Sequence, residues 1–184
     1  MNQSKEYLAK EMAKSGDLKE KSAKYRFTTV GRMVYQKNYS LAVDVANILK
    51  KDGYDFEWYF IGDGDDRLNV ESKIKKYGLE NNIILVGQQN NPYPYIASCD
   101  VYIQTFRFEG YCLTLAEARM FNKPSVSTNF EVAYNQLVDG ENGLIVEMTP
   151  EAVVNCIERM INDDELRNSI VEYLKSEKRV MQKK

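Results

Sequence analysis

Histidine is absent from the 184 residues. That excludes any Ser–His–Asp or Cys–His arrangement and any imidazole metal site built by this chain alone. A general base, where one is needed, falls to a carboxylate or to another chain. Cysteine is scarce. Cys99, Cys112 and Cys156 share no metal-ligand spacing, and an odd number without an export signal points to reduced thiols in a cytoplasm. No apolar run approaches the roughly 18–20 residues of a membrane span, and the polar opening "MNQSKEYLAKEMAKSGD" lacks the apolar centre of a signal peptide. Neither sign of charge dominates. The 25 Lys and Arg against 27 Asp and Glu leave a net charge of −2, which argues against nucleic acid as a partner.

What is present suits one soluble domain with a substantial core, since 43% of the residues are hydrophobic. Residues 1–25 are polar and lysine-rich, with a weak helical pattern around Tyr7, Leu8 and Met12, and read as a flanking helix or linker. From Arg26 onward, short runs rich in β-branched and aromatic residues alternate with helical patterns. The strand candidates are "RFTTVGR", "FEWYFIG", "NIILVG", "DVYIQTF", "PSVST" and "GLIVEM". Between them, "SLAVDVANILKKDG" puts Leu41, Val45 and Leu49 on one helix face and closes with lysines and Gly53. "ESKIKKYG" closes the same way, at Gly78. "TPEAVVNCIERMI" opens with Thr149 as N-cap and Pro150 at the first helical position. Strict alternation predicts an α/β fold: a Rossmann-like parallel sheet with helices on both faces, over residues 26–184, with the last helices (150–184) packing on it. In such folds ligands sit at the carboxyl ends of the strands, near helix N-termini.

The loops at that edge hold the chemistry. After the first strand, "VGRMVYQKNYS" offers Arg32 as a planar fork and Lys37 as a point charge, a pair suited to a diphosphate; two solvated surface cations are the plainer alternative. After the second, "GDGDDR" has carboxylates but puts Leu68 where a calcium loop requires glycine, so a tight turn into a helix is expected. "GQQNNPYPYIASCD", after the third, reads as a loop. After the fourth comes "FRFEGYCLTLAEARMF". Gly110 permits a sharp turn, and the N–H groups of Tyr111, Cys112 and Leu113 would open a helix facing an anion. Glu109 stands before that anion site and Glu117 beyond it. Two carboxylates able to accept from vicinal hydroxyls would then bracket a phosphate, matching the polarity of a nucleotide sugar. An acidic helix start with a chance second glutamate is the alternative.

These segments, in this order over about residues 26–163, resemble the C-terminal, nucleotide-sugar-binding domain of a family-four retaining glycosyltransferase with the GT-B fold. The specific part of the resemblance is the ordered set with two glutamates separated by seven residues. It implies that Arg32 and Lys37, beside Gly31, bind the donor diphosphate and offset charge on the leaving nucleotide. It implies that Glu109 holds the donor sugar, that Gly110 to Leu113 form the phosphate-binding turn, and that Glu117 holds the ribose hydroxyls. The nucleobase would lie near Gln88 and Gln89. Arg32, Lys37 and Glu109 would be the catalytic set, acting with no metal and no cofactor. Front-face attack assisted by the leaving phosphate would need no covalent nucleophile. Two positions depart from the family pattern, which often has glycine where Cys112 and Asn38 stand. The Cys112 side chain is expected to narrow the approach to phosphate or sugar.

The resemblance further implies a hexosyltransferase-type enzyme of surface-polysaccharide biosynthesis, with a UDP-sugar donor and a glycan or lipid-linked acceptor. The intact enzyme would work in the cytoplasm, with possible association at the inner membrane face. It would also have an N-terminal acceptor domain. Nothing before "RFTTVGR" is long enough to be that domain, so a truncated form or one half of a split enzyme is expected, inactive alone. A stand-alone nucleotide-binding or regulatory module is the competing expectation.

Overall fold

The structure, a computed structural model, describes residues 3–14 and 18–181. Six parallel strands form one sheet: β1 (Tyr25–Val30), β2 (Phe56–Ile61), β3 (Ile83–Gly87), β4 (Val101–Gln104), β5 (Ser125–Thr128) and β6 (Leu144–Val146), in the order β3-β2-β1-β4-β5-β6. β1 pairs with β2 along its whole length, from Tyr25 opposite Phe56 to Val30 opposite Ile61. Each strand corresponds to one of the six expected runs, and β1 starts one residue earlier than Arg26.

Side chains alternate across the sheet, and the alternation builds two cores. Val101 and Ile103 of β4 join Phe27, Trp58 and Phe60 on one face, under α2 (Tyr39–Lys51), α3 (Arg67–Lys76) and α7 (Pro150–Asn162). Tyr102 turns to the other face, under α4 (Tyr93–Ser98), α5 (Leu113–Met120) and α6 (Ala133–Gln136). A further helix, α1 (Gln3–Lys14), lies against α4, and α8 (Asp164–Met181) lies against α7. The segment after β3, expected to be a loop, therefore contains α4. Its two prolines are compatible with that, because Pro92 is the N-cap and Pro94 falls in the first turn, where no intrahelical N–H is lost.

Helix ends follow the sequence. Leu41, Val45 and Leu49 of α2 are buried. Tyr54 N–H donates to the Leu49 carbonyl and Gly53 N–H to that of Lys50, with Gly53 at φ 82°, a Schellman closure that needs a left-handed residue. Thr149 Oγ1 caps α7 by accepting from Ala152 N–H at 3.3 Å. Among the described residues no helix is long and apolar enough to cross a membrane.

Candidate functional site

Chain progression reverses at the middle of the sheet. From β1 it runs outward through β2 to β3; from β4 it runs the other way through β5 to β6. Such a switch point leaves a crevice at the strands' carboxyl ends, between the loops after β1 and β4. Those loops are stitched together. Arg107 N–H donates to the Gln36 carbonyl at 2.8 Å, and the Arg107 guanidinium donates to the Tyr35 carbonyl at 2.6 Å while lying 4.2 Å from the Tyr35 ring centroid. Thr105 Oγ1, fully buried, lies 3.2 Å from the Asn38 carbonyl and 3.3 Å from that of Lys37. The next loop braces the first: Met33 N–H donates to the Asp63 carbonyl and Asp66 N–H to the Met33 carbonyl, both at 2.9 Å. A Cβ on Gly62 would strike the Gly31 carbonyl, and one on Gly64 the Met33 carbonyl. "GDGDDR" is thus a turn whose glycines make room for the β1 loop.

Lys37 and Glu109 meet in this crevice. Lys37 Nζ makes an ion pair with Glu109 Oε2 and sits 3.9 Å from the centroid of the Phe106 ring; Glu109 Oε1 accepts from Gly110 N–H at 2.9 Å. Burial lowers the Lys37 pKa from its ordinary value and Arg32 adds to this, while the Cys112 thiol opposes it. The Glu109 carboxylate in contact favours the charged form. Gly31 is confined as well, since a Cβ there would come within 3.2 Å of Phe106.

α5 begins beside this pair. Cys112 is its N-cap, at φ 61° and ψ 47°, and its carbonyl takes the N–H groups of Leu115 and Ala116. The N–H groups the helix geometry leaves free are those of Leu113 and Thr114. The left-handed backbone at Cys112 is why glycine suits this position. Asn38, the other departure from glycine, is also left-handed at φ 49°, so the turn survives there with a residue type that, after glycine, tolerates it best. The expectation that Cys112 narrows the approach is corrected. Its side chain is 2% exposed and packed in the second core, and its sulfur accepts from Gln104 Nε2 at 2.7 Å. Thr114 Oγ1 donates to Gln104 Oε1 at 2.9 Å, so one buried amide ties β4 to both ends of the turn.

Glu117, the fifth residue of α5, is 9% exposed. Its Oε1 accepts from the Tyr93 hydroxyl at 3.4 Å. Burial raises the Glu117 pKa and the Tyr93 contact partly offsets it. The carboxyl faces a cavity of about 620 Å³ that also reaches Tyr111 and Leu113. A larger cavity, about 820 Å³, opens beside Lys24, Asp100 and Lys123, at the amino ends of the strands and away from the crevice.

The structure therefore brings Gly31, Lys37, Glu109, Gly110 and Cys112 together, with Arg32 exposed on the same loop and Tyr111 and Leu113 exposed at the start of α5. Gln88 and Gln89 stand exposed at the end of β3, separated from β1 by β2. Tyr93, Thr105, Arg107 and Gln104 escaped the sequence reading. Only Tyr93 had a usable signal, the spaced prolines of "NPYPY" that mark a helix start.

The family model for glycosyl transferases group 1 matches residues 11–177. The chain belongs to that family. Among its relatives is the capsular polysaccharide biosynthesis glycosyltransferase CapM of Staphylococcus aureus, 28% identical over 77% of this chain and 38% of CapM. The chain thus spans about two fifths of that relative. The C-terminal domain of the group 1 glycosyl transferase LpcC from Francisella tularensis superposes with a TM-score of 0.73 at 23% identity, over 94% of this chain and 89% of that domain. Anabaena HepE, solved with UDP-glucose, superposes with a TM-score of 0.76 at 18% identity, over 96% of this chain and 48% of HepE. The fold is that of the C-terminal half of GT-B glycosyltransferases.

Proposed function

We propose that this chain is the donor-binding part of a retaining glycosyltransferase that takes a UDP-sugar and transfers its sugar to a glycan or lipid-linked acceptor during surface-polysaccharide synthesis. The observation that carries this is the placement of Lys37 and Glu109 in contact at the switch point, with the start of α5 beside them and Glu117 one turn further in. Arg32, Lys37 and the Leu113 and Thr114 N–H groups are suited to a diphosphate; two side-chain cations and a helix start offset its charge, so no metal or cofactor is required. UDP is favoured because HepE was solved with UDP-glucose, and surface polysaccharide because of the function named for CapM.

The Lys37–Glu109 pair stands where ligand charge would go. A diphosphate that takes Lys37 releases Glu109 to accept from sugar hydroxyls, so sugar and phosphate are read by one exchange of partners. As the glycosidic bond breaks, negative charge grows on the leaving phosphate, and the two cations stabilise it. Calorimetric titration with UDP-, GDP- and ADP-sugars tests this. Saturable binding strongest for a UDP-sugar is expected; no heat from any of the three at millimolar concentration would overturn it.

A further inference from the structure

Gln104 is the last residue of β4, after Val101, Tyr102 and Ile103, and is 1% exposed. Strand alternation turns it to the same face as Tyr102, under α5. A side-chain amide buried there is costly unless it is hydrogen-bonded. Both ends of this amide are bonded, and both bonds go to the start of α5. Nε2 donates to Cys112 Sγ at 2.7 Å, and Oε1 accepts from Thr114 Oγ1 at 2.9 Å. Leu113 lies between those two partners, and the N–H groups of Leu113 and Thr114 are the ones that helix geometry leaves free at the crevice. The Thr114 hydroxyl also bonds the Tyr102 hydroxyl, which accepts from Val30 N–H at 3.4 Å. The buried network therefore runs from α5 back to the end of β1, next to Gly31.

The start of α5 lacks the usual means of fixing its geometry. An N-cap side chain ordinarily accepts from an N–H of the first turn, but Cys112 makes no such bond. Its backbone is left-handed at φ 61°, which is unfavourable for a residue with a Cβ. A capping side chain would also occupy an N–H that an anion could use. We propose that Gln104 is a positioning residue for the donor diphosphate: it fixes Cys112 from the core side, so that the Leu113 and Thr114 N–H groups keep their place at the crevice with no capping side chain competing for them. This rests on the donor-site reading above. Gln104 is too deeply buried to touch the ligand, and it acts through Cys112 and Thr114.

The test is calorimetric titration with inorganic pyrophosphate, with a thermal melt of each variant. Gln104→Leu keeps the buried volume and removes both bonds, and pyrophosphate affinity should fall about tenfold, as expected when a hydrogen bond to a charged group is lost. Glycine takes a positive φ without steric cost and needs no holding. The double variant Gln104→Leu, Cys112→Gly should therefore regain most of the lost affinity. A merely structural Gln104 predicts the opposite, because the second substitution empties more of the core and restores no bond. Parent-like affinity in Gln104→Leu, or a double variant as weak as the single one, would overturn the proposal. If Gln104→Leu does not melt cooperatively, Thr114→Val decides. It removes one of the two bonds at a half-buried position and should weaken pyrophosphate about threefold; parent-like affinity there would overturn the proposal. Failure of the parent protein to bind pyrophosphate would instead overturn the donor-site reading itself, and the role of Gln104 with it.

Discussion

Glu117 is held in a place that disfavours its charge. Burial raises its pKa above the ordinary carboxylate value. The folded protein then binds that proton more tightly than the unfolded chain, so stability falls as pH rises from the ordinary value through the raised one and is flat above it. Glu117→Gln should therefore melt at a higher temperature than the parent at pH 8, and the gap should close below about pH 4. Thermal melts at the two pH values check this. Asn38 is tested differently. Its left-handed backbone costs alanine roughly 1–2 kcal/mol but costs glycine no steric strain. Asn38→Ala should lower unfolding stability by about 1 kcal/mol, while Asn38→Gly should stay near the parent, as read by urea denaturation. At this scale the sequence was a good guide to which residue types the crevice collects. It was a poor guide to direction: nothing in "EGYCLT" shows that Cys112 turns into the core, because that follows from a positive φ set by tertiary packing.

At the scale of elements, the loops after β1, β2 and β4 behave as one braced unit. Gly62 and Gly64 have φ of 146° and 155°, and each lies where a side chain would meet the backbone of the β1 loop. Gly64→Ala should destabilise by about 2 kcal/mol or more. It should also weaken nucleotide binding, because the displaced carbonyl is that of Met33, next to Arg32. Chemical denaturation and a UDP titration of the same variant measure both effects. Six strands were legible because a parallel sheet buried on both faces needs continuous β-branched and aromatic runs, as in "FEWYFI". Two short helices, α4 and α6, were not. At six and four residues they show too few turns for a periodic pattern. Strand order was also hidden, since no local signal says that β4 returns beside β1; the edge that holds the strand-end crevice nevertheless followed from the alternation alone.

At the scale of the whole molecule, the chain covers 77% of itself but only 38% of CapM in their alignment. Its crevice exposes Tyr35, Phe108 and Tyr111 at the rim, each more than half exposed. We expect this chain by itself to bind nucleotide and not to transfer sugar. Holding donor and acceptor in reacting geometry is a large share of such catalysis, and the site proposed above would hold the donor alone. Robust transfer to an acceptor by the purified chain would refute that; slow release of free sugar would not, since water needs no site.

The most direct measurement is a calorimetric cross of two variants against two ligands, UDP and UDP-glucose. Glu117→Gln should weaken both ligands by about 1.5–3 kcal/mol, the range for hydrogen bonds to a charged group. Glu109→Gln should bind plain UDP at least as tightly as the parent, because Lys37 loses the carboxylate it is paired with, and should bind UDP-glucose more weakly relative to UDP. If both substitutions weaken plain UDP equally, or neither changes either ligand, the two glutamates do not bracket a nucleotide sugar.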